Sequence, residues 1–417
     1  MSLPPIPAAA EPGAPGALAG LKVLDMSRVL AGPLSGQILG DLGADVVKVE
    51  HPARGDDTRA WGPPYMPGAD GLPSSEAAYF MSANRNKRSV ALDIATAEGQ
   101  ATLRALAQQA DVLIENFKLG DLARYGLDYT SLSALNPRLI YCSITGFGQT
   151  GPYAARAGYD FLVQGLGGLM SLTGDASGPM KAGVALVDVM TGLYADIGIL
   201  AALAHRQRTG QGQQVDLSLL DVQIAGLVNQ AMNYLATGRS PGRLGNAHPS
   251  IVPYQDFPTA DGWMILAVGN DGQFARLALA CEQPGWAEDP RFATNAQRVR
   301  HREALIALLS AATRQRSTAD WIALLEDKAV PCGPINTLAD VFADPHVRAR
   351  GAVVTLPHAV AGTVPLVASP LRLSASPVSY RHAPPTLGQH TAQVLADWLG
   401  QLPTAANDPS CPEPTTP

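Results

Sequence analysis

The chain has 417 residues, which at about 150 residues per domain gives a prior of roughly 2.8 domains. Hydrophobic residues make up 46% and charged residues 16%, which excludes global disorder. Lys plus Arg number 30 against 36 Asp plus Glu, so the net charge is −6 and a dominant basic surface for nucleic acid is excluded.

Residues 1–19 are rich in Pro, Ala and Gly without an apolar period, and 402–417 are alike, so both are expected to be disordered tails. The first cation is Lys22, so neither a secretory nor a mitochondrial leader is expected. From Lys22, KVLDM reads as a buried parallel strand. A loop and a small-residue helix follow, ending near Gly43, and then the strand DVVKVE. Strand, helix, strand in about 30 residues is a βαβ unit. The alternation continues with SVALDI, AEGQATLRALAQQA, DVLIENF, DLARYGLDYTSLSAL and LIYCSITGFG. In the helix after SVALDI, Leu103, Leu106 and Ala107 share one face. This pattern predicts a Rossmann-like, doubly wound α/β domain.

Ala185–Arg208 predicts one long helix, stopped by Gly210 and Gly212. Its apolar stretch carries Asp188 and Asp196, which disfavours a membrane span. After about residue 238 the texture changes. Two strands flank an Asp261-Gly262 turn, and helices follow at HREALIALLSAAT and TADWIALLED. The expected organisation is a large domain from 20–220 and 335–400, a linker at 221–244, and a smaller α+β domain at 245–330. Cys142, Cys281, Cys332 and Cys411 form no CxxC, and no two histidines have ligand spacing. Neither disulfides nor metal are expected, and the default is a cytoplasmic protein.

Four features carry candidate chemistry. Asp188 opens an apolar helix, where N–H groups and the helix dipole favour an ionised carboxylate. Such a group is either a nucleophile for acyl chemistry or a buried, hydrogen-bonded cap, and Asp196 competes with it. The Gly165–Gly168 run permits close backbone approach but is neither a P-loop nor GxGxxG. GNDGQF, with Gly269, Asn270, Gly272 and Gln273, is either an oxyanion-holding loop or a plain turn. Cations gather near strand ends: Arg28, Arg54, Arg59, Arg85, Lys87 and Arg88. They suit phosphates or carboxylates, or form a solvated charged loop. Glu50 at a strand end invites a dinucleotide reading, which fails without GxGxxG.

The blocks KVLDMSRVLAGP, LGADVVKVEHPARGDDTR, NRNKRSVALD, DVLIENF, LNPRLIYCSITGFGQTGP, GYDFLVQ, VALVDVMTG, TGQGQQVDLSLLD, PCGPIN and LGQHT occur in this order over about 20–395. Together they resemble the family III CoA-transferases, which include formyl-CoA transferase and carnitine CoA-transferase. AHPSIVPYQDFPTADGWMILAVGNDGQF and GDDTRAWGPP look most like the succinyl-CoA:glutarate and related dicarboxylate transferases.

The resemblance implies an acyl-CoA:carboxylate CoA-transferase using coenzyme A as a substrate, with no bound cofactor and no metal. It implies Asp188 as the nucleophile, working through an aspartyl anhydride and an aspartyl-CoA thioester. Arg28, Val29, Ala31, Leu92, Arg124 and Tyr159 match CoA-contact positions. Two cation positions of formyl-CoA transferase are Ala95 and Ala157 here, so Arg54 and Arg88 are the expected phosphate ligands. For a dicarboxylate acceptor such as glutarate, itaconate, mesaconate or 3-sulfinopropionate, Arg85, Arg28, His248 and Gln164 are the candidate contacts. The implied assembly is an interlocked homodimer with no nucleic-acid or membrane partner. An α-methylacyl-CoA racemase would need a histidine where this chain has Tyr159. A non-catalytic CoA-binding protein would not need Asp188.

Overall fold

Residues 15–400 are described by a computed structural model. The early apolar runs form strands β1 (Lys22–Asp25), β2 (Asp45–Glu50), β3 (Lys87–Ala91), β4 (Val112–Glu115) and β5 (Ile140–Thr145). A sixth, β6 (Gln214–Ser218), comes after the long helix. All six are parallel and ordered β6-β5-β4-β1-β2-β3. This is the doubly wound order, and it reverses direction between β1 and β4.

Parallel strands are covered on both faces, which is why they read as continuous apolar runs. On one face Val23, Val46, Ile114 and Cys142 pack against α1 (Ala31–Asp41) and α4 (Leu186–Thr209). On the other, Leu24, Val47, Leu113 and Tyr141 meet Leu103, Leu106 and Ala107 of α2 (Ala97–Gln109). Val394 and Trp398 of the C-terminal helix Thr391–Leu399 complete that face. The short α3 (Asp160–Leu166) precedes α4. Gly192 lets α4 lie close on α1, since a Cβ there would sit 2.8 Å from the Ala31 carbonyl. Among the described residues α4 is the one helix long and apolar enough to cross a membrane, yet Val187, Ala195, Ile199 and Ala202 bury one side of it in the core.

Several expectations change. Residues 15–19 are not a tail: Leu18 donates to the Leu42 carbonyl at 2.9 Å and packs on the first core. Residues 1–14, and 401–417 with Cys411, lie outside the described residues. DLARYGLDYTSLSAL is two pieces, Ala123–Tyr125 and Tyr129–Leu135, because Gly126 turns left-handed (φ 65°) between them. The segment 221–244, expected as a linker, is largely helical through Leu219–Ala225 and Val228–Thr237, with Leu219 and Val222 buried.

The chain divides into two compact units. Among the described residues the first comprises 15–169, Ala182–Met232 and 350–400; the second is Met170–Lys181 with Asn233–Ala349. The second unit has its own antiparallel sheet of β7 (Tyr254–Pro258), β8 (Trp263–Ala267) and β9 (Cys332–Pro334). Phe257, Leu266, Phe274, Leu305 and Trp321 form its core.

Candidate active site

Ligands in such sheets bind outside the carboxyl ends of the strands, where the strand order reverses. Here that point is the turn after β1. Asn116, just past β4, accepts from the Arg28 N–H (2.9 Å) and donates to the Arg28 carbonyl (2.7 Å). The next residue, Val29, is held at φ 73°, a left-handed conformation that β-branched residues avoid. The turn opens on a cavity of about 250 Å³ whose wall includes Arg28, Ala31, Lys118, Arg156, Tyr159 and Asp188. A second cavity, of about 330 Å³, shares Arg28, Asp57, Phe117 and Asp121 with the first. It adds Arg54, Leu92, Ala95 and Arg124, and the two adjoining cavities together make up the candidate groove.

Asp188 lies in the first turn of α4. The N–H groups of this turn do not serve its side chain. Asp160 takes them instead, accepting from Val187 N–H (2.8 Å) and Asp188 N–H (3.4 Å). Burial, and secondly the neighbouring Asp160 charge, push the Asp188 carboxyl up to about 7. The helix terminus was expected to favour the ionised form. The correction follows from Asp160 occupying the donors and adding negative charge. A carboxylate of raised basicity in a sheltered groove is suited to attack on an acyl carbon. The competing Asp196 is 6% exposed, lines neither cavity, and bonds Ser35 Oγ at 2.7 Å. Burial raises its pKa far above the usual range, and it is a core carboxyl.

Two glycines bring Tyr159 to this groove. The backbones at Gly146, after β5, and Gly158 touch; a Cβ on Gly146 would lie 2.6 Å from the Gly158 Cα. Ala157 also lines the first cavity and Ala95 the second, without a cation at either. Lys118 and Arg156 supply positive charge there, and neither was singled out from sequence. Arg156 stacks on Tyr153 (4.6 Å) and Phe147 (5.3 Å). Tyr79 was also missed. Burial, then the charges of Asp188 and Asp160, raise its phenol pKa, so it lies within their field, with its ring edge-on to Trp61 at 5.2 Å. Only the Asp next to Tyr159 in GYD offered a signal for Asp160; Tyr79 offered none.

Other expected residues are elsewhere. Arg85 is buried in a two-point ion pair with Asp41 (2.9 and 2.6 Å) and donates to the Val367 carbonyl. Arg88 bonds Asp45 (3.1 and 2.6 Å) and Asp397 (2.6 Å). Neither lines the groove, which corrects both as substrate ligands. Gln164 is buried, donating to Asp160 (2.7 Å) and accepting from Ala182 N–H (2.8 Å), so it supports the chain around Asp188 and is not an acceptor contact. Glu50 is occupied by Arg59 (2.7 and 2.8 Å) and Ser89 (2.7 Å).

His248 and GNDGQF belong to the second unit. His248 Nδ1 accepts from Ser250 N–H, and the ring lies 5.4 Å from Tyr254. Asn270 caps the helix Asp271–Ala280 by accepting from Gln273 N–H (2.9 Å), and Gln273 Oε1 accepts from Gly269 N–H (2.7 Å). The loop is thus a helix cap. Among the described residues no group of three His, Cys, Asp or Glu is arranged to hold a metal ion.

Comparison with known proteins gives a consistent picture. The family described as CoA-transferase family III matches residues 18–391. A succinate–glutarate CoA-transferase of Agrobacterium fabrum is 55% identical over 381 residues, covering 91% of this chain and 95% of its own. A succinyl-CoA:glutarate CoA-transferase of Mus musculus is 43% identical, covering 92% and 86%. A crystal structure of a CAIB/BAIF family protein from Brucella suis is 52% identical with a TM-score of 0.81, covering 92% of this chain and 100% of that one.

Proposed function

The chain belongs to CoA-transferase family III, and we propose that it moves CoA from succinyl-CoA to a short dicarboxylate or an isostere: glutarate, itaconate, mesaconate or 3-sulfinopropionate. The observation that carries this reading is Asp188, an unusually basic carboxyl lining a groove at the sheet's switch point. Arg54, Arg124, Arg28, Lys118 and Arg156 along that groove suit a polyanionic substrate.

In the proposed mechanism the Asp188 carboxylate attacks the donor thioester carbon and expels CoA thiolate, leaving an acyl-aspartyl anhydride. The thiolate attacks the aspartyl carbonyl, which releases succinate and forms an aspartyl-CoA thioester. The acceptor carboxylate attacks that thioester, giving a second anhydride and free thiolate. The thiolate then attacks the acceptor carbonyl, and Asp188 is regenerated. Thioester energy is conserved, so excluding water from the groove matters more than extra driving force.

The interlocked homodimer belongs to the same proposal. Its support is the outer side of α4, where Leu193, Tyr194, Ile197 and Leu200 are exposed. A contiguous apolar face of this kind is costly in water and suits a second copy.

The test mixes purified protein with succinyl-CoA and a panel of free acids, following CoA esters by mass spectrometry beside Asp188→Ala. A new acyl-CoA formed only by the wild type supports the reading and names the acceptor. Exchange of an α-proton in a branched acyl-CoA, without transfer, would replace it with isomerase chemistry.

A further inference from the structure

Beneath the turn after β1 lies a cluster of buried charges that the mechanism does not use. Lys48, in the middle of β2, is fully buried. Its Nζ donates to the Ser27 carbonyl at 2.9 Å and pairs with Asp56 Oδ2 at 2.9 Å. The other oxygen of Asp56 accepts from Val29 N–H (3.2 Å), Thr58 N–H (3.0 Å) and Thr58 Oγ1 (2.8 Å). Asp56 N–H is in turn held by Glu50 at 3.0 Å, and Glu50 is clamped by Arg59. Lys87 and Asp25 adjoin at 2.8 Å. Asp25, Glu50 and Asp56 balance Lys48, Arg59 and Lys87, so the cluster is neutral as a whole.

Buried ion pairs are poor stabilisers, and apolar residues of like volume often do as well. A different use is visible here. Lys48 grips the backbone two residues before Val29, and its partner Asp56 grips Val29 itself. Val29 is the residue in the left-handed conformation, which valine does not hold unaided. Asn116 fixes the turn from the β4 side, and this pair fixes it from the β2 side.

We propose that Lys48 and Asp56 are positioning residues for substrate: through Ser27 and Val29 they hold the turn after β1 in the shape that lets Arg28 and Val29 line the groove for the CoA moiety. The pair acts through the turn's backbone and touches no reacting atom. The inference rests on reading the groove as a CoA site, so its test begins with free CoA.

The experiment measures the Kd of free CoA by calorimetry on the full chain in a double-mutant cycle of Lys48→Met with Val29→Gly. Lys48→Met is expected to weaken CoA about tenfold or more in the Val29 background and less than about threefold in the Val29→Gly background, because glycine adopts the left-handed conformation freely. In turnover the loss is expected in KM for the CoA donor, with kcat changed less. If Lys48→Met does not accumulate as folded protein, Asp56→Glu carries the same comparison, since it keeps the charge pair but moves the carboxylate off Val29. Equal losses in both backgrounds, or an unchanged Kd, would overturn the inference: a purely structural pair lowers the melting temperature without coupling to Val29. A wild type that binds no CoA would overturn the groove reading itself, and is told apart by the first titration.

Discussion

Near neutral pH Asp188 lies at the edge between its two protonation states. Its carboxyl is pushed up to about 7 by burial and by Asp160, and in the proposed mechanism the attacking form is the carboxylate. In the free enzyme kcat/KM for the donor is therefore expected to rise with pH through about 7 and then level off, with a slope of one proton. Asp160→Asn removes the second cause while keeping an acceptor for Val187 N–H, so the rising limb is expected to move to lower pH. A pH–rate profile of the two proteins checks both statements. Stability carries the same signature with a defined sign. A folded-state pKa of about 7 against 3.8 unfolded means that wild-type stability falls as pH rises between those values. Asp188→Asn is expected to be inactive yet more stable by ~4 kcal/mol at alkaline pH, an advantage that vanishes in acid. Denaturant melts across pH read this directly. The anhydride route makes a further prediction. An acceptor labelled with heavy oxygen in its carboxylate leaves one label on Asp188, and the next turnover delivers it to the released succinate in about half of the events, since either carboxylate oxygen can attack. Unlabelled succinate would eliminate the aspartyl thioester.

Among elements, the helix α1 and the start of β3 are joined by the Asp41–Arg85 pair, both side chains buried. Removing one partner leaves the other charged in a dry site. Arg85→Met is thus expected to cost ~3–5 kcal/mol in chemical denaturation. The KM for the acceptor is expected to stay the same, since Arg85 does not reach the groove. A raised acceptor KM at full stability would restore Arg85 as a substrate clamp. The contact between the segment after β5 and the one before α3 depends on two glycines meeting backbone to backbone. Gly158→Ala is expected to displace Tyr159 and lower kcat/KM, with little change in the melting of the second unit. Kinetics and differential calorimetry separate these effects.

On the scale of the whole molecule, α4 has a core side and an outer side that are both apolar. The core side is buried with Val187, Ala195, Ile199 and Ala202, while Leu193, Ile197 and Leu200 are left in solvent. The proposed dimer accounts for this. Sedimentation equilibrium is expected to give twice the chain mass, and Leu193→Glu combined with Ile197→Glu to shift it towards the monomer with loss of activity. A wild type that sediments as a monomer would remove the dimer from the proposal.

The alternation of strands and helices was legible because buried parallel strands must be apolar throughout and their covering helices must repeat every 3.6 residues. Asp188 was legible as a carboxylate opening an apolar helix, and the family blocks ran in order from end to end. The destinations of charged side chains were not legible. Arg88 precedes SVALDI and so lies near the start of β3, away from the carboxyl ends, but its partner Asp397 is 309 residues distant. Arg85 finds Asp41 across 44 residues. A linear sequence shows which end of a strand a cation occupies, but not which carboxylate folding delivers to it. Lys87, read among the cations near strand ends, and Lys48, inside DVVKVE, both sit fully buried. Residue order thus determined the fold class, because that follows from local pattern, whereas local pattern left Asp188 and Asp196 both open and the ordered family blocks were needed to prefer Asp188. Only tertiary structure decided which charges face the groove and which are locked beneath it, because that depends on groups brought together from hundreds of residues apart.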